Sequence, residues 1–470
     1  MKSLGGAGVL LVLGLTCLGS AAMGQPAPKA TVPTPAPASA PASAPAPAPL
    51  PTVPDMAPTP GPGLDKTGAT LPTPPRTTGL SIADAIKLAE TRNERGAIAD
   101  LNVVSSEGAV ESARSSFLPA LSASGNDTWR PRSDPSNDLS GRLRFDQPIV
   151  APSAIPLYDR AKHNRDATRA QSVDDRRVLA FDTAKAFMQV LLAEAVADAA
   201  QRKLETAKAD LKSTDAQQRA ALVSSNDVTR ARISVADAQR EVTADLGNRD
   251  SAYVDLAFLV AQPVDAVANP ADLLALSQAA QPSPQQLVTD SLTARPDLVA
   301  KKELGAAAHD FAREPRWRYI PSVGFSAELD ADEHGTHSID GFLQLNATWN
   351  IFDFTRYGDM KTRDAAASIA DLNTQALGRQ IEQQVRAAAI QLGAAQQALI
   401  AAADARDAAR KSAEETATLY KQGLAKAIEL IDANDQRFEA EVNYASVQFD
   451  VAVAYLTLRQ AMGLAPLEDK

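Results

Sequence analysis

Phe117-Leu118-Pro119-Ala120-Leu121 returns as Tyr319-Ile320-Pro321-Ser322-Val323, 202 residues further along the chain. In both places a helical spacing gives way to strict alternation, because proline lacks the backbone donor that a helix would need there. The same interval recurs downstream. Leu143 to Ile149 matches Leu345 to Ile351, Ala221-Leu222 matches Gly423-Leu424, and Leu256 matches Leu458. Upstream, Thr91-Arg92-Asn93-Glu94 resembles Ala294-Arg295-Pro296-Asp297 at an interval of 203. One interval held by several anchors marks a duplication. Residues 80–262 and 283–466 therefore read as two copies of one structural unit, with 263–282 as their connector.

Each copy changes period in the same order. Ser81 to Ser116 reads as helix with Ser81 as N-cap. Two alternating segments follow. Leu121, Ala123, Gly125 and Trp129 are set against Ser122, Ser124, Asn126 and Thr128, then Leu139, Leu143 and Phe145 against Ser140, Arg142 and Arg144. The second copy repeats this with Val323, Phe325, Ala327 and Leu329, then Ile339, Leu343, Leu345, Ala347, Trp349 and Ile351. These are hairpins with one apolar and one polar face. A long heptad seam comes next: Phe181, Ala184, Met188, Leu191 and Ala195 in the first copy, and Ile381, Val385, Ala388, Leu392, Ala395, Leu399 and Ala402 in the second. Such a seam packs helices as a coiled coil, and its alanines allow close approach. A helix from Asp159 to Ala221 would be roughly 95 Å long. It turns back at Leu222 to Asp227 and a second helix returns to Val260; the second copy turns at Gly423 to Ile428.

Ahead of this unit, Lys2, an apolar run from Leu4 to Leu18 and the small residues ending at Gly24 have the order of a secretory signal over 1–24, cleaved after Gly24. The run is interrupted by Gly14 and short for a membrane helix. Acylation of Cys17 is the other reading, although Gly14-Leu15-Thr16 fits a lipoprotein motif poorly. Residues 25–79 are rich in Pro, Ala, Thr and Ser, a composition that can form neither helix nor ladder, and read as an extended linker. With 47 Lys plus Arg against 57 Asp plus Glu, the chain carries a net charge of −10, which argues against a nucleic-acid partner. Cys17 is the only cysteine, so no internal disulfide can form.

The hairpin strands have the length and two-faced character of tilted membrane strands, with Trp129 and Trp349 near strand ends where interface aromatics belong. A sheet in hydrocarbon cannot keep an open edge. Four strands per chain are too few for a closed barrel, since the smallest has about eight. Three copies would supply twelve. The fold class expected is mainly helical with membrane β-structure, the strands of several copies sharing one barrel. The rival reading is a periplasmic structural or tethering coiled-coil protein without a pore.

This order of elements resembles the TolC-type outer membrane efflux protein family across Leu80 to Pro466. It is carried by Leu80-Ser81-Ile82-Ala83-Asp84-Ala85-Ile86, by Phe117-Leu118-Pro119, by Trp349-Asn350-Ile351-Phe352-Asp353, and by Leu419-Tyr420-Lys421-Gln422-Gly423-Leu424 leading into Glu429-Leu430-Ile431-Asp432. The resemblance implies a homotrimer in outer membrane lipid, a trimeric twelve-stranded barrel on a coiled-coil helical tunnel that lies in the periplasm. Its partners would be a periplasmic adaptor and an inner-membrane transporter of RND, ABC or MFS type. It implies a passive duct, without cofactor and without enzymatic activity. In the family a tyrosine ahead of the second turn contacts an aspartate in the first and helps hold the entrance shut; the matching positions are Tyr420 and Asp227. Two acidic positions three apart ring the constriction, here Glu429 and Asp432. Three subunits would bring six carboxylates together, attracting cations and raising some of their pKa values. An arginine of the family's closing network is replaced by Ala425, beside Lys426. The turns Leu222-Val223-Ser224-Ser225 and Leu424-Ala425-Lys426-Ala427 are where an adaptor would grip.

Other readings of these residues stand beside those. Asp227, like Asn226, could cap the returning helix, and Glu429 and Asp432 could be solvated helix positions. His334 and His337 with Asp332 and Glu333 read as a polar loop, because no second shell is implied for a metal. Arg130, Arg132, Arg142 and Arg144 make the first hairpin basic, most simply as a solvated strand face.

Overall fold

The computed structural model describes residues 79–129, 137–332 and 338–467. The leader, the linker up to residue 78, Arg130, Arg132, Glu333 and the His334–His337 loop lie outside them. The elements, in chain order, are α1 (Ile82–Arg92), α2 (Glu94–Arg114), β1 (Ala120–Trp129), β2 (Asn137–Val150), α3 (Ala154–Arg219), α4 (Ser225–Val260), α5 (Ala271–Gln278), α6 (Pro284–Ala294), α7 (Pro296–Trp317), β3 (Ser322–Asp332), β4 (Ser338–Thr348), α8 (Thr355–Lys421) and α9 (Ala427–Met462). A single 3₁₀ turn, Ser115–Phe117, links α2 to β1.

The expected helix over Ser81 to Ser116 is broken in the structure. Ser81 does cap it, accepting from the Asp84 N–H at 3.1 Å. The chain then turns extended at Asn93, whose side chain accepts from the Arg95 N–H and so starts α2 afresh. Asn93 also donates its amide to the Leu259 carbonyl at 2.9 Å. Its counterpart is Arg295, extended between α6 and α7, which donates to the Ala461 carbonyl at 3.1 Å. Each break thus satisfies a carbonyl near the open C-terminus of the returning helix of its own repeat. These breaks lie 202 residues apart, so the interval of 203 read upstream is one residue too long.

At 66 and 67 residues, α3 and α8 are each about 100 Å long. They run through a waist where α1, α5 and α6 lie against them and α9. On the sheet side of the waist the helices stand in the rank α2-α3-α7-α8, and on the turn side in the order α4-α3-α9-α8. Phe181, Met188, Leu256, Ile381, Val385, Leu392 and Leu456 are fully buried at the waist. Each contributes about 1.5–3 kcal/mol by leaving water. Phe181→Ala would cost about 3–5 kcal/mol. Further down the core is Ala199, Ala200, Leu204, Ala207, Ala238 and Val242 against Phe438, small side chains that let the helices close in.

The four strands form one antiparallel sheet in the order β1-β2-β3-β4. The register places Leu121 by Phe145, Leu143 by Leu329, and Ala327 by Leu343, so one face is mainly apolar, with Asp127 opposite Leu139 and Gln147 opposite Phe325 as its polar members. The other carries Ser124, Arg142, Arg144, Glu328 and Asp330. Alternation predicted Trp349 and Ile351 inside the last strand, but β4 stops at Thr348, where no neighbouring strand remains to pair with it. Among the described residues no helix is long and apolar enough to cross a membrane.

Candidate functional site

Both helical hairpins turn by the same backbone device. At the end of α3 the Leu222 N–H donates to the Gln217 carbonyl and the Ala221 N–H to the Gln218 carbonyl, both at 2.9 Å. At the end of α8 Leu424 donates to Leu419 and Gly423 to Tyr420 in the same pattern. This is a Schellman ending, which needs a left-handed residue. Gly423 supplies it at φ +76°, whereas Ala221 is held there at φ +50°. Leu222 and Leu424 are left projecting at the two tips, both strongly exposed. Ser224, Ser225 and Lys426 are exposed beside them, Val223 and Ala425 are half-buried, and Ala427 is buried.

The acids at these turns cap helices. Asp227 accepts from the backbone N–H of Ser224 at 3.1 Å and from its hydroxyl at 2.8 Å, while its own N–H donates back to Ser224 Oγ. Two open donors at the start of α4 are satisfied in this way. Glu429 likewise accepts from the Lys426 N–H at 3.2 Å. Asp432 is exposed one turn along. Tyr420 is buried and meets Thr214, oxygen to oxygen at 3.3 Å, so the structure brings it to α3 and not to Asp227. Thr214 already donates its one hydroxyl hydrogen to the Asp210 carbonyl, which makes Tyr420 the donor of the pair.

Around Thr214, α3 and α9 are joined by polar contacts that sequence reasoning did not find. Asn434 donates to Asp210 at 2.9 Å, and Lys203 bridges Glu241 at 2.9 Å and Asp435 at 3.4 Å above the Phe438 ring. A cavity of about 50 Å³ lies among them. Burial pushes the Asp210 carboxyl above the ordinary range, with the Asn434 amide opposing. Burial acts to lower Lys203, but Glu241 and Asp435 more than offset it and leave it raised. The available signal was a polar residue interrupting an alanine seam, as Asp210 does after Ala207.

At the opposite end the basic charge of the first hairpin is answered by the second. Glu328, almost fully buried, is reached by Arg142 at 2.6 Å and Arg144 at 3.5 Å, while Arg142 also meets Asp330 and Arg144 meets Asp146. The polar face is therefore crossed by ion pairs at the β2–β3 seam and is not a plain basic strip. Trp129 closes β1 at the far end of the sheet. Trp349 lies just past β4 at the helix end, half out in solvent, with its indole N–H donating to the Tyr319 carbonyl at 3.0 Å. Its counterpart Gln147 donates to the Phe117 carbonyl at 3.3 Å. The two tryptophans thus mark opposite ends of the sheet, some 33 Å apart for ten residues of strand.

The family model for outer membrane efflux proteins matches residues 85–262 and 287–464. Comparison with curated proteins found no match. Among solved structures the chain is similar to the CmeC outer membrane channel of Campylobacter jejuni, at 16% identity and a TM-score of 0.69 over 83% of this chain and 87% of that one. It is similar to the MtrE outer membrane channel of Neisseria gonorrhoeae in its open state, at 20% identity and a TM-score of 0.69 over 82% and 90%. The outer membrane protein VceC of Vibrio cholerae gives 15%, 0.66, 82% and 96%. At such identities the likeness is one of fold. Both repeats, however, fall within the family model, and the chain belongs to the outer membrane efflux protein family.

Proposed function

We propose that three copies of this chain close one twelve-stranded barrel in the outer membrane and form the exit duct of a tripartite efflux or type I secretion system. The duct is passive. An inner-membrane transporter of RND, ABC or MFS type drives export, joined to the tube by a periplasmic adaptor that grips the tips around Leu222–Ser225 and Leu424–Ala427. At the entrance, Glu429 and Asp432 of three copies ring the opening, and Tyr420 holds the inner hairpin to α3.

One observation carries this reading. The sheet is apolar on one face and charged on the other, and both of its edges, β1 and β4, are open. Unpaired backbone groups in hydrocarbon are too costly to persist, so the edges must meet those of other copies. Light scattering on detergent-extracted protein, with planar-bilayer recording, tests it. The expected result is a trimeric mass and discrete conductance steps. A monomer that stays in the soluble periplasm and conducts nothing would return the chain to the tethering role.

A further inference from the structure

One helical turn from the Tyr420–Thr214 contact, α3 meets α9 through Asp210 and Asn434, whose amide donates to the carboxyl at 2.9 Å. The two contacts are joined, since Thr214 spends its hydroxyl hydrogen on the Asp210 carbonyl at 2.8 Å. Two further acids, both on α9, line the cavity beside Asp210, and each has a cation. Asp435 meets Lys203 at 3.4 Å, while Glu441 meets Arg437 at 2.9 Å and Arg202 at 3.7 Å. From α4 the cavity is lined by Ala231 and Ser234, and Glu241 of that helix is held on Lys203. From α8 comes Tyr420, which stops at Thr214. The lining cations are thus engaged elsewhere. Among the described residues lining the cavity, Asp210 alone of the three acids lacks a cation and faces a neutral amide.

That pairing matters because a carboxamide both donates and accepts. An ionised carboxylate can take the amide N–H but has nothing to give the amide oxygen. A protonated carboxyl has an O–H to give. It donates to the amide oxygen while accepting from the amide nitrogen, so one hydrogen bond becomes two and a half-buried charge disappears. Burial favours the same form: it pushes the Asp210 carboxyl above its ordinary range, with the Asn434 amide opposing.

Resting on the reading of this end as the entrance, we propose that Asp210 and Asn434 form a proton-operated tie fastening α9 to α3. With the proton on, two hydrogen bonds hold the α8–α9 hairpin where it stands and the entrance rests tight. With the proton lost to solvent, one bond remains beside a charge that no cation answers. The stretch of α9 that carries Glu429 and Asp432 then loosens. The direction is fixed by linkage. The tie is fully made below the ordinary aspartate value near ~3.9 and is lost as pH rises through the higher value of the folded chain.

Hydrogen exchange on the full-length detergent-extracted protein tests the tie, compared between pH about 4 and about 7 after correction for the intrinsic exchange rate. Amides of residues 427–434 should be roughly five- to tenfold better protected in acid, the worth of one added hydrogen bond. Asp210→Asn gives an amide pair that keeps both bonds without titrating, so its protection should stay at the acid level throughout. Asn434→Asp sets two carboxyls to share one proton, and its protection should fall more steeply than wild type as pH rises. Leak currents in planar bilayers report on the entrance, with Glu429→Gln and Asp432→Asn present in every chain to remove their own titration. The leak should drop in acid with Asp210 and stay flat with Asp210→Asn. Equal protection at both pH values, or an unaltered pH dependence in Asp210→Asn, overturns the tie. Protection that follows pH while the leak does not leaves the tie standing and removes the entrance from this end.

Discussion

Ala221 and Gly423 hold one position in the two copies, and only the second has the residue that a left-handed backbone favours. An L side chain there costs about 1–2 kcal/mol, partly offset by the entropy that glycine loses on folding. Ala221→Gly should therefore stabilise the fold by about 0.5–1 kcal/mol. Gly423→Ala should cost about the same, since nothing lies within 4 Å of the added carbon and only the backbone objects. Melting temperatures of the two variants should move in opposite directions. Asp210 gives a pH signature. Its raised pKa means that the folded chain keeps a proton where the unfolded chain has lost it, so stability falls as pH rises past the ordinary aspartate value near ~3.9. Asp210→Asn should match the wild type in strong acid and exceed it at neutral pH in denaturant titrations. Tyr420→Phe removes the donor to Thr214, and its expected effect is a higher leak current through the resting channel. A leak equal to wild type would dissociate that contact from closure.

At the scale of elements, the β2–β3 pairing joins the two repeats, and Glu328 lies across it. Glu328→Gln keeps the volume and removes the charge shared by Arg142 and Arg144. The expected outcome is a lower melting temperature together with a reversal potential shifted toward anions, read in salt-gradient bilayers. A shift in neither would make Glu328 an ordinary buried side chain. Helices and strands were legible in the sequence wherever their signals are local: the Ser81 cap, the proline at each strand start, the heptads through Phe181 and Ile381. Asn93 was not, because the carbonyl that fixes its extended backbone belongs to Leu259, far along the chain. The Tyr420–Thr214 contact was missed for the same reason, since no spacing within one helix announces a partner on another. Asp227 was legible in part, as its capping role follows from Ser224 three residues before it. Alternation alone puts Trp349 and Ile351 in a strand, yet alternation cannot supply the neighbour on which a strand depends.

For the whole molecule, the proposed trimer would place Glu429 and Asp432 of three copies around one opening. Glu429→Gln with Asp432→Asn should weaken cation block and cation preference in bilayer recordings, and unchanged currents would leave both acids as helix residues in solvent. Duplication explains why so much of this architecture could be read from one chain: every anchor appears twice, so a chance match is discounted by its echo. The waist adds a mechanical consequence. Asn93 and Arg295 splint the returning helices near their ends, and α1, α5 and α6 brace the long ones at the same height. The returning helices α4 and α9 leave the waist core at Ala252 and Val451, and everything from there to the tips is paired helix clamped at one end only. A slight twist at the clamp is multiplied into a wide sweep at the tips, and in the proposed trimer that sweep would widen the entrance without moving the sheet.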